Sequence, residues 1–113
     1  MAVNIYDTAN QLERDLRETQ QYLDLKKAYN AIQTDEEASA VLTEFQGMQQ
    51  AIYMKQQTGQ EVTEEEIADA QAASEKMMDN ELAVELMDKE KALNQVIQDI
   101  NQIIMKPIQE IYE

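Results

Sequence analysis

The sequence contains no cysteine, no histidine and no tryptophan, and only one proline and two glycines among 113 residues. Each absence removes a class of chemistry or structure. Without cysteine there are no disulfides, no thiolate nucleophile and no zinc ribbon. Without histidine there is no Ser-His or Cys-His pair and no imidazole metal ligand. Scarce glycine and proline argue against a turn-rich chain and for long uninterrupted elements. Basic residues are also few: 9 Lys and Arg stand against 23 Asp and Glu, a formal charge of -14. Such a chain repels phosphate backbones, and no basic stripe falls on any expected helix face. Direct nucleic-acid binding is therefore not expected. Anionic membranes, which want Lys and Arg on a polar face, are disfavoured for the same reason. No segment reaches the apolar length needed to span a bilayer. The start, MAVNIYDTANQ, lacks a basic stretch followed by an apolar one, so no signal peptide is expected and a cytoplasmic protein is the plain expectation.

What remains is a helical composition. Ala, Glu, Gln, Leu, Met and Lys dominate, and strand-type alternation is absent. The expected fold class is all-α: a single helical domain over 1–113, with about five helices and a bundle completed by oligomerisation. Apolar spacing and capping signals put helices at roughly 3–18, 20–33, 35–57, 64–79 and 80–105, with a short C-terminal turn at 107–112. Ile5, Ala9, Leu12 and Leu16 share a face of the first helix. Thr19 is placed to cap the second, which carries Tyr22, Leu25, Tyr29 and Ile32 on one side. Thr34 with Glu37, and Thr63 with Glu66, fit capping boxes. The third helix turns Ala38, Val41, Phe45, Met48 and Ile52 inward, with Leu42 beside them. The fourth does the same with Ile67, Ala70 and Met77. At Asn80 the chain either begins a new helix or continues through with a bend. Leu82, Leu86, Leu93, Val96, Ile100 and Ile103 carry the apolar stripe onward.

Gly59, in the short link TGQEV, can take the left-handed conformation that ends helices. A link that short implies that the third and fourth helices pair as a long antiparallel hairpin, an arm of about 30 Å at 1.5 Å per residue. Two helices alone bury little, so something else must cover their apolar faces.

The tail is the least ordinary stretch. Val96, Ile97, Ile100, Ile103, Ile104, Met105, Ile108, Ile111 and Tyr112 spread over about 200° of a helical wheel. A surface helix needs an apolar stripe only a little over 100° wide. Burying an aliphatic side chain is worth roughly 1.5–3 kcal/mol, so four left exposed would forgo roughly 6–12 kcal/mol. That rivals the whole stability of a domain, about 5–15 kcal/mol. One face of the tail is therefore expected to pack within the chain and the other to meet another chain. Val96, Ile97, Ile100, Ile103, Ile104, Ile108, Ile111 and Tyr112 are the expected interface. Pro107 cannot donate to Ile103 and disfavours helical geometry at Lys106, so a kink or stop is expected near Lys106.

No chemistry-bearing constellation appears. A di-metal carboxylate bundle needs Glu-x-x-His pairs, and the calcium loop needs its Asp-x-Asp-x-Asp-Gly pattern; neither is present. TEEEIADAQ reads as a solvated helix start whose acids suit the positive end of the helix dipole. Tyr22 and Tyr29 sit at helical spacing, which suits rings in the core with hydroxyls at its edge better than a ligand-stacking set. Met77 and Met78 read as gap-fillers. No catalytic, cofactor-binding or metal-binding residue is nominated, no cofactor is expected, and the protein is expected not to be an enzyme.

Two stretches carry a resemblance. VNIYDTANQLERDLRETQQYLDLKKAYNAIQTDEEASAVLTEFQ at the front and VIQDINQIIMKPIQEIY at the end resemble the YlbF/YmcA family of small helical proteins of Gram-positive bacteria, and within it the YheA-like branch. The resemblance covers nearly the whole chain and rests on a diffuse pattern of Leu, Tyr and acidic positions. It implies an all-helical fold with a long antiparallel hairpin and association into dimers or larger assemblies. It further implies a non-enzymatic role: better-studied relatives modulate ribonuclease Y within a complex and thereby affect competence, sporulation and biofilm formation. Some of those relatives use cysteines to hold an iron–sulfur cluster; this chain has none, so that cofactor is not carried over. The expectation is an oligomeric helical adaptor or regulator whose partner is a second copy or another protein. The alternative is a regulatory partner of an RNA-processing ribonuclease complex.

Overall fold

A computed structural model describes residues 3–113, which form five helices and no strand. They are α1 (Ile5–Leu16), α2 (Gln20–Gln33), α3 (Glu36–Gln57), α4 (Glu64–Asp79) and α5 (Glu81–Ile111). The fold is all-α, as composition requires. The start on which the leader expectation rests includes two residues outside the described part.

Side-chain caps fix most of the boundaries. Asn4 accepts from the Asp7 amide at 3.1 Å and opens α1. The Thr19 hydroxyl works in both directions: it donates to the Leu16 carbonyl at 2.7 Å and accepts from the Tyr22 amide at 3.2 Å, closing α1 and opening α2. At α3 the cap is Asp35, not Thr34: Asp35 accepts from the Ala38 amide at 2.9 Å, while the Thr34 hydroxyl turns back to the Ala31 carbonyl. A carboxylate satisfies the free amide and also opposes the positive end of the dipole, so it displaces the neighbouring hydroxyl. The Thr63–Glu66 box forms in full. Asn80 has extended backbone, φ -103° and ψ 118°, and its side chain accepts from the Ala83 amide at 3.1 Å. So α4 ends there and α5 starts as a new helix.

The residues divide into two compact units: one made of residues up to Lys27 together with Asp88–Glu113, the other of Ala28–Met87. The second holds the antiparallel hairpin of α3 and α4. Gly59, at φ 75°, takes the left-handed position after α3. The Gln60 amide then reaches the Lys55 carbonyl at 2.9 Å and the Gly59 amide the Gln56 carbonyl at 3.4 Å, a Schellman ending. Lys55 pairs with Glu66 near this tip, and Lys76 pairs with Glu44 at 3.2 Å further along. Numbers rising on one helix as they fall on the other is the antiparallel register.

The core of this unit is small-residue rich. Ala28, Ile32, Ala38, Leu42, Ala73, Met77, Ala83 and Leu86 are buried, with Ile32 fully enclosed. Val41, Phe45, Met48, Ile52 and Ala70 are half-buried, and Ile67 is 46% exposed rather than inward. Ala38 is buried as its spacing led one to expect, whereas Ala28, Ala73 and Ala83 are core positions that hydrophobic spacing does not single out. A methyl side chain lets backbones approach closely, so the buried positions follow proximity rather than side-chain size.

The expected stop at Lys106 does not occur. α5 continues through Pro107 to Ile111, and no separate turn forms over 107–112. Proline removes one hydrogen bond and crowds one carbonyl, but the following residues keep their own i→i-4 bonds, so one more turn of helix costs little beyond the local defect.

The two glycines predict opposite responses. Nothing lies within 4 Å of a Cβ added at either. Gly59→Ala therefore loses stability only through its left-handed backbone, by about 1–2 kcal/mol. Gly47→Ala, inside α3, gains about 1 kcal/mol from helix propensity. Chemical denaturation of the two variants checks the pair. Ile32→Ala should cost about 2–5 kcal/mol in the same assay, because the fully enclosed side chain leaves a cavity.

Candidate protein-interaction surface

The other unit holds α1, the start of α2 and the second half of α5, and it lacks an interior. α1 has no buried residue, and the two buried residues of α5, Ala83 and Leu86, both belong to the hairpin unit. Between α1 and α5 lies an open apolar cleft of about 500 Å³. Ile5, Tyr6, Ala9 and Leu12 line it from α1, and Ile103, Ile104 and Pro107 from α5. Because α5 runs unbroken to Ile111, the 200° apolar arc read from its sequence is a continuous helical surface.

The structure distributes the eight expected interface residues unevenly. Val96 and Ile100 are half-buried. Ile97 is 37% exposed, Ile108 48%, Ile104 58%, Ile103 60%, Ile111 76% and Tyr112 85%. Ile103 and Ile104 meet α1 residues at the cleft; Ile97, Ile108, Ile111 and Tyr112 are not among its lining residues. The α1 side is not among the residues expected at an interface, because helical spacing puts Ile5 and Leu12 on one face without saying what that face meets. Their exposures of 66% and 38% place them at the open cleft instead. Tyr6 stands beside them, also exposed. Of the tyrosines assigned to the core edge, Tyr22 is half-buried and Tyr29 is exposed.

Electrostatics separates this unit from the hairpin. From Asp35 to Glu81 there are twelve acidic residues and two lysines. Both lysines, Lys55 and Lys76, are held in the ion pairs across the hairpin. Glu66 also accepts from the Thr63 amide and hydroxyl, so the Lys55 hydrogen bond, followed by those from Thr63, holds its carboxyl below the ordinary value of 4.5. By contrast, α5 between Asn94 and Ile111 carries only Asp99, Lys106 and Glu110.

Little here supports catalysis. No group of three or more acidic side chains among the described residues converges as a metal site would require. An open polar depression at the α2–α3 junction brings Ser39 and Thr43 near Glu36 and Glu44, with no imidazole to activate either hydroxyl. No helix among the described residues is long and apolar enough to cross a membrane.

The family model described as control of competence regulator ComK, YlbF/YmcA, matches residues 5–109. The chain belongs to the YlbF/YmcA family. Within it, a UPF0342 protein of Pediococcus pentosaceus is 46% identical over 113 residues, covering 100% of this chain and 99% of the relative. Among solved structures, a protein of unknown function (DUF964) from Bacillus stearothermophilus superposes with a TM-score of 0.90 at 30% identity, covering 98% of this chain and 97% of that one. yheA from Bacillus subtilis gives a TM-score of 0.76 at 30% identity, covering 97% and 100%, which places this family member near the YheA-like branch. Bacillus subtilis RicA, solved in complex with RicF, gives 0.70 at 16% identity with full coverage of both chains, a likeness of fold alone.

Glu66 generates a pH prediction. A carboxyl held below its ordinary value contributes stability above about pH 4.5 and loses it as pH falls through the lowered value. Glu66→Gln keeps a capping side chain but not the charge. The variant should therefore melt below wild type at neutral pH, and the gap should close as the solution is acidified below about pH 4.5. Thermal scans of both proteins across that range check it.

Proposed function

We propose that this family member is a non-enzymatic helical adaptor or regulator that works through protein–protein contact. Its apolar α5 surface assembles it into a homodimer or larger homo-oligomer, which completes the bundle that one copy leaves open. The observation that supports this reading is a unit of helices without one buried side chain, whose longest helix presents a continuous apolar arc to solvent. Exposed apolar patches of that extent mark interfaces in soluble domains. Val96, Ile97, Ile100, Ile103, Ile104, Ile108, Ile111 and Tyr112 form the proposed contact, with Ile5, Tyr6 and Leu12 at its margin. The chain acts as one functional unit, in the cytoplasm, with no cofactor. It binds neither nucleic acid nor membrane directly.

A second reading is favoured by one finding: RicA, which shares the fold, was solved in complex with another protein, RicF. The family description, control of a competence regulator, points the same way. On this reading the chain is a regulatory partner in an RNA-processing ribonuclease complex. Unchanged transcript processing in a deletion strain would remove it.

The leading reading is tested by mass in solution. Wild type should sediment as a multiple of the 13.0 kDa chain at micromolar concentration. Ile104→Asp/Ile108→Asp alters two exposed positions and should fold unchanged by circular dichroism. Both copies carry the change, so a dimer loses four isoleucines, about 6–12 kcal/mol, and association should weaken by about 10⁴-fold or more. Wild type that stays monomeric at high micromolar concentration overturns the self-association reading.

A further inference from the structure

The side chains in the second half of α5 sort by direction. At 100° per residue, Val96, Ile100, Ile103 and Pro107 occupy one sector about 60° wide. Ile103 and Pro107 line the cleft with α1 and Val96 and Ile100 are half-buried, so this sector is the one turned toward α1, with Ile104, 58% exposed, at the edge of the cleft. Ile97, Ile104, Met105, Ile108, Ile111 and Tyr112 occupy a second sector, about 120° wide and centred about 110° away. Asp99, Lys106 and Glu110 fall together within about 40°, diametrically opposite the second sector. In a chain of net charge -14, the second sector is a helix face with no charge on it.

Its spacing is that of a self-pairing seam. Ile97, Ile104 and Ile111 recur every seven residues, and Asn101 and Ile108 follow the first two by four. These are the d and a positions of a heptad, with one polar residue, Asn101, at an a position. Asn101 is exposed, as are all four isoleucines. The charge pattern identifies the occupant. A basic partner would need acids on this face, and there are none. A second copy would be repelled by most of this acidic surface, but it can approach here with Asp99 and Glu110 directed away from the contact.

We infer that this face pairs with the same face of a second copy, parallel and in register, with Asn101 paired to the second copy's Asn101 inside an otherwise apolar seam. The inference rests on the self-association reading and adds its direction and register. Parallel pairing sets asparagine against asparagine, so each amide finds a partner. An antiparallel overlap of the isoleucines would set Asn101 against an apolar side chain and leave its amide unsatisfied if buried. A lone asparagine at an a position is a known means of fixing register, at some cost in stability.

The absence of cysteine makes the test clean. Asn101→Cys and Ile108→Cys, each introduced alone in the full chain, are oxidised with copper–phenanthroline after circular dichroism confirms the fold. A disulfide needs Cα atoms within about 7 Å, a distance that a parallel pair provides at both positions and an antiparallel pair at no more than one. Near-complete conversion to covalent dimer at both, with none at Asp99→Cys, is the expected result. A wild type that sediments as a monomer removes the self-association reading and this inference together. An oligomer that cross-links at one position only, at neither, or equally at Asp99→Cys overturns the inference and leaves the reading standing. Asn101→Leu gives a second measure: the seam should lose its single polar match, and the mass distribution should broaden beyond one species. A single unchanged species counts against Asn101 as the register determinant.

Discussion

A helix can shield its apolar stripe only against something else, and a unit built mostly from two helices has a seam but no interior. That constraint governs the unit of α1 and the second half of α5, where not one described side chain is buried. Tyr112 at 85% and Ile111 at 76% exposure lie at the end of a helix otherwise regular enough to absorb a proline. The apolar arc of α5 is too wide for one neighbour to cover. Its excess is the surface on which the proposed contact with another chain rests.

The hairpin unit meets the same constraint differently. Residues from α2 and the start of α5 join α3 and α4, and the buried side chains come from all four helices. Half are alanine, so the core is thin, and the hairpin leans on local devices: the Asp35 cap, the Schellman ending at Gly59, the Thr63–Glu66 box and the Lys55–Glu66 pair. Glu66 links two of these, since one carboxylate both caps α4 and receives the lysine of α3. Thirteen acids against two ion-paired lysines make this unit strongly negative.

Membership of the YlbF/YmcA family fits a molecule whose notable features are surfaces rather than pockets. Relatives are alike in sequence over their whole length, and solved structures at 30% identity superpose over nearly the whole chain. Family and fold do not assign a reaction, because function resides in sites that folds carry. The proposed role rests on the exposed apolar surface of α5 and on contact between proteins.

The sequence by itself determined the helical class, the hairpin, the Gly59 ending, the Thr63–Glu66 box and the width of the α5 apolar arc. All of these are local, set by spacing, caps and backbone preference within a few residues. Tertiary structure decided what local chemistry leaves degenerate. Asn80 became a boundary instead of a bend, and Pro107 stayed inside its helix, because each choice balances terms of about one to a few kcal/mol against surroundings that the sequence does not display. Burial was decided there too. Ala28, Ala73 and Ala83 became core while Ile5 and Ile67 did not, since burial follows which backbones approach each other, and hydrophobicity only says which side chains would gain by it.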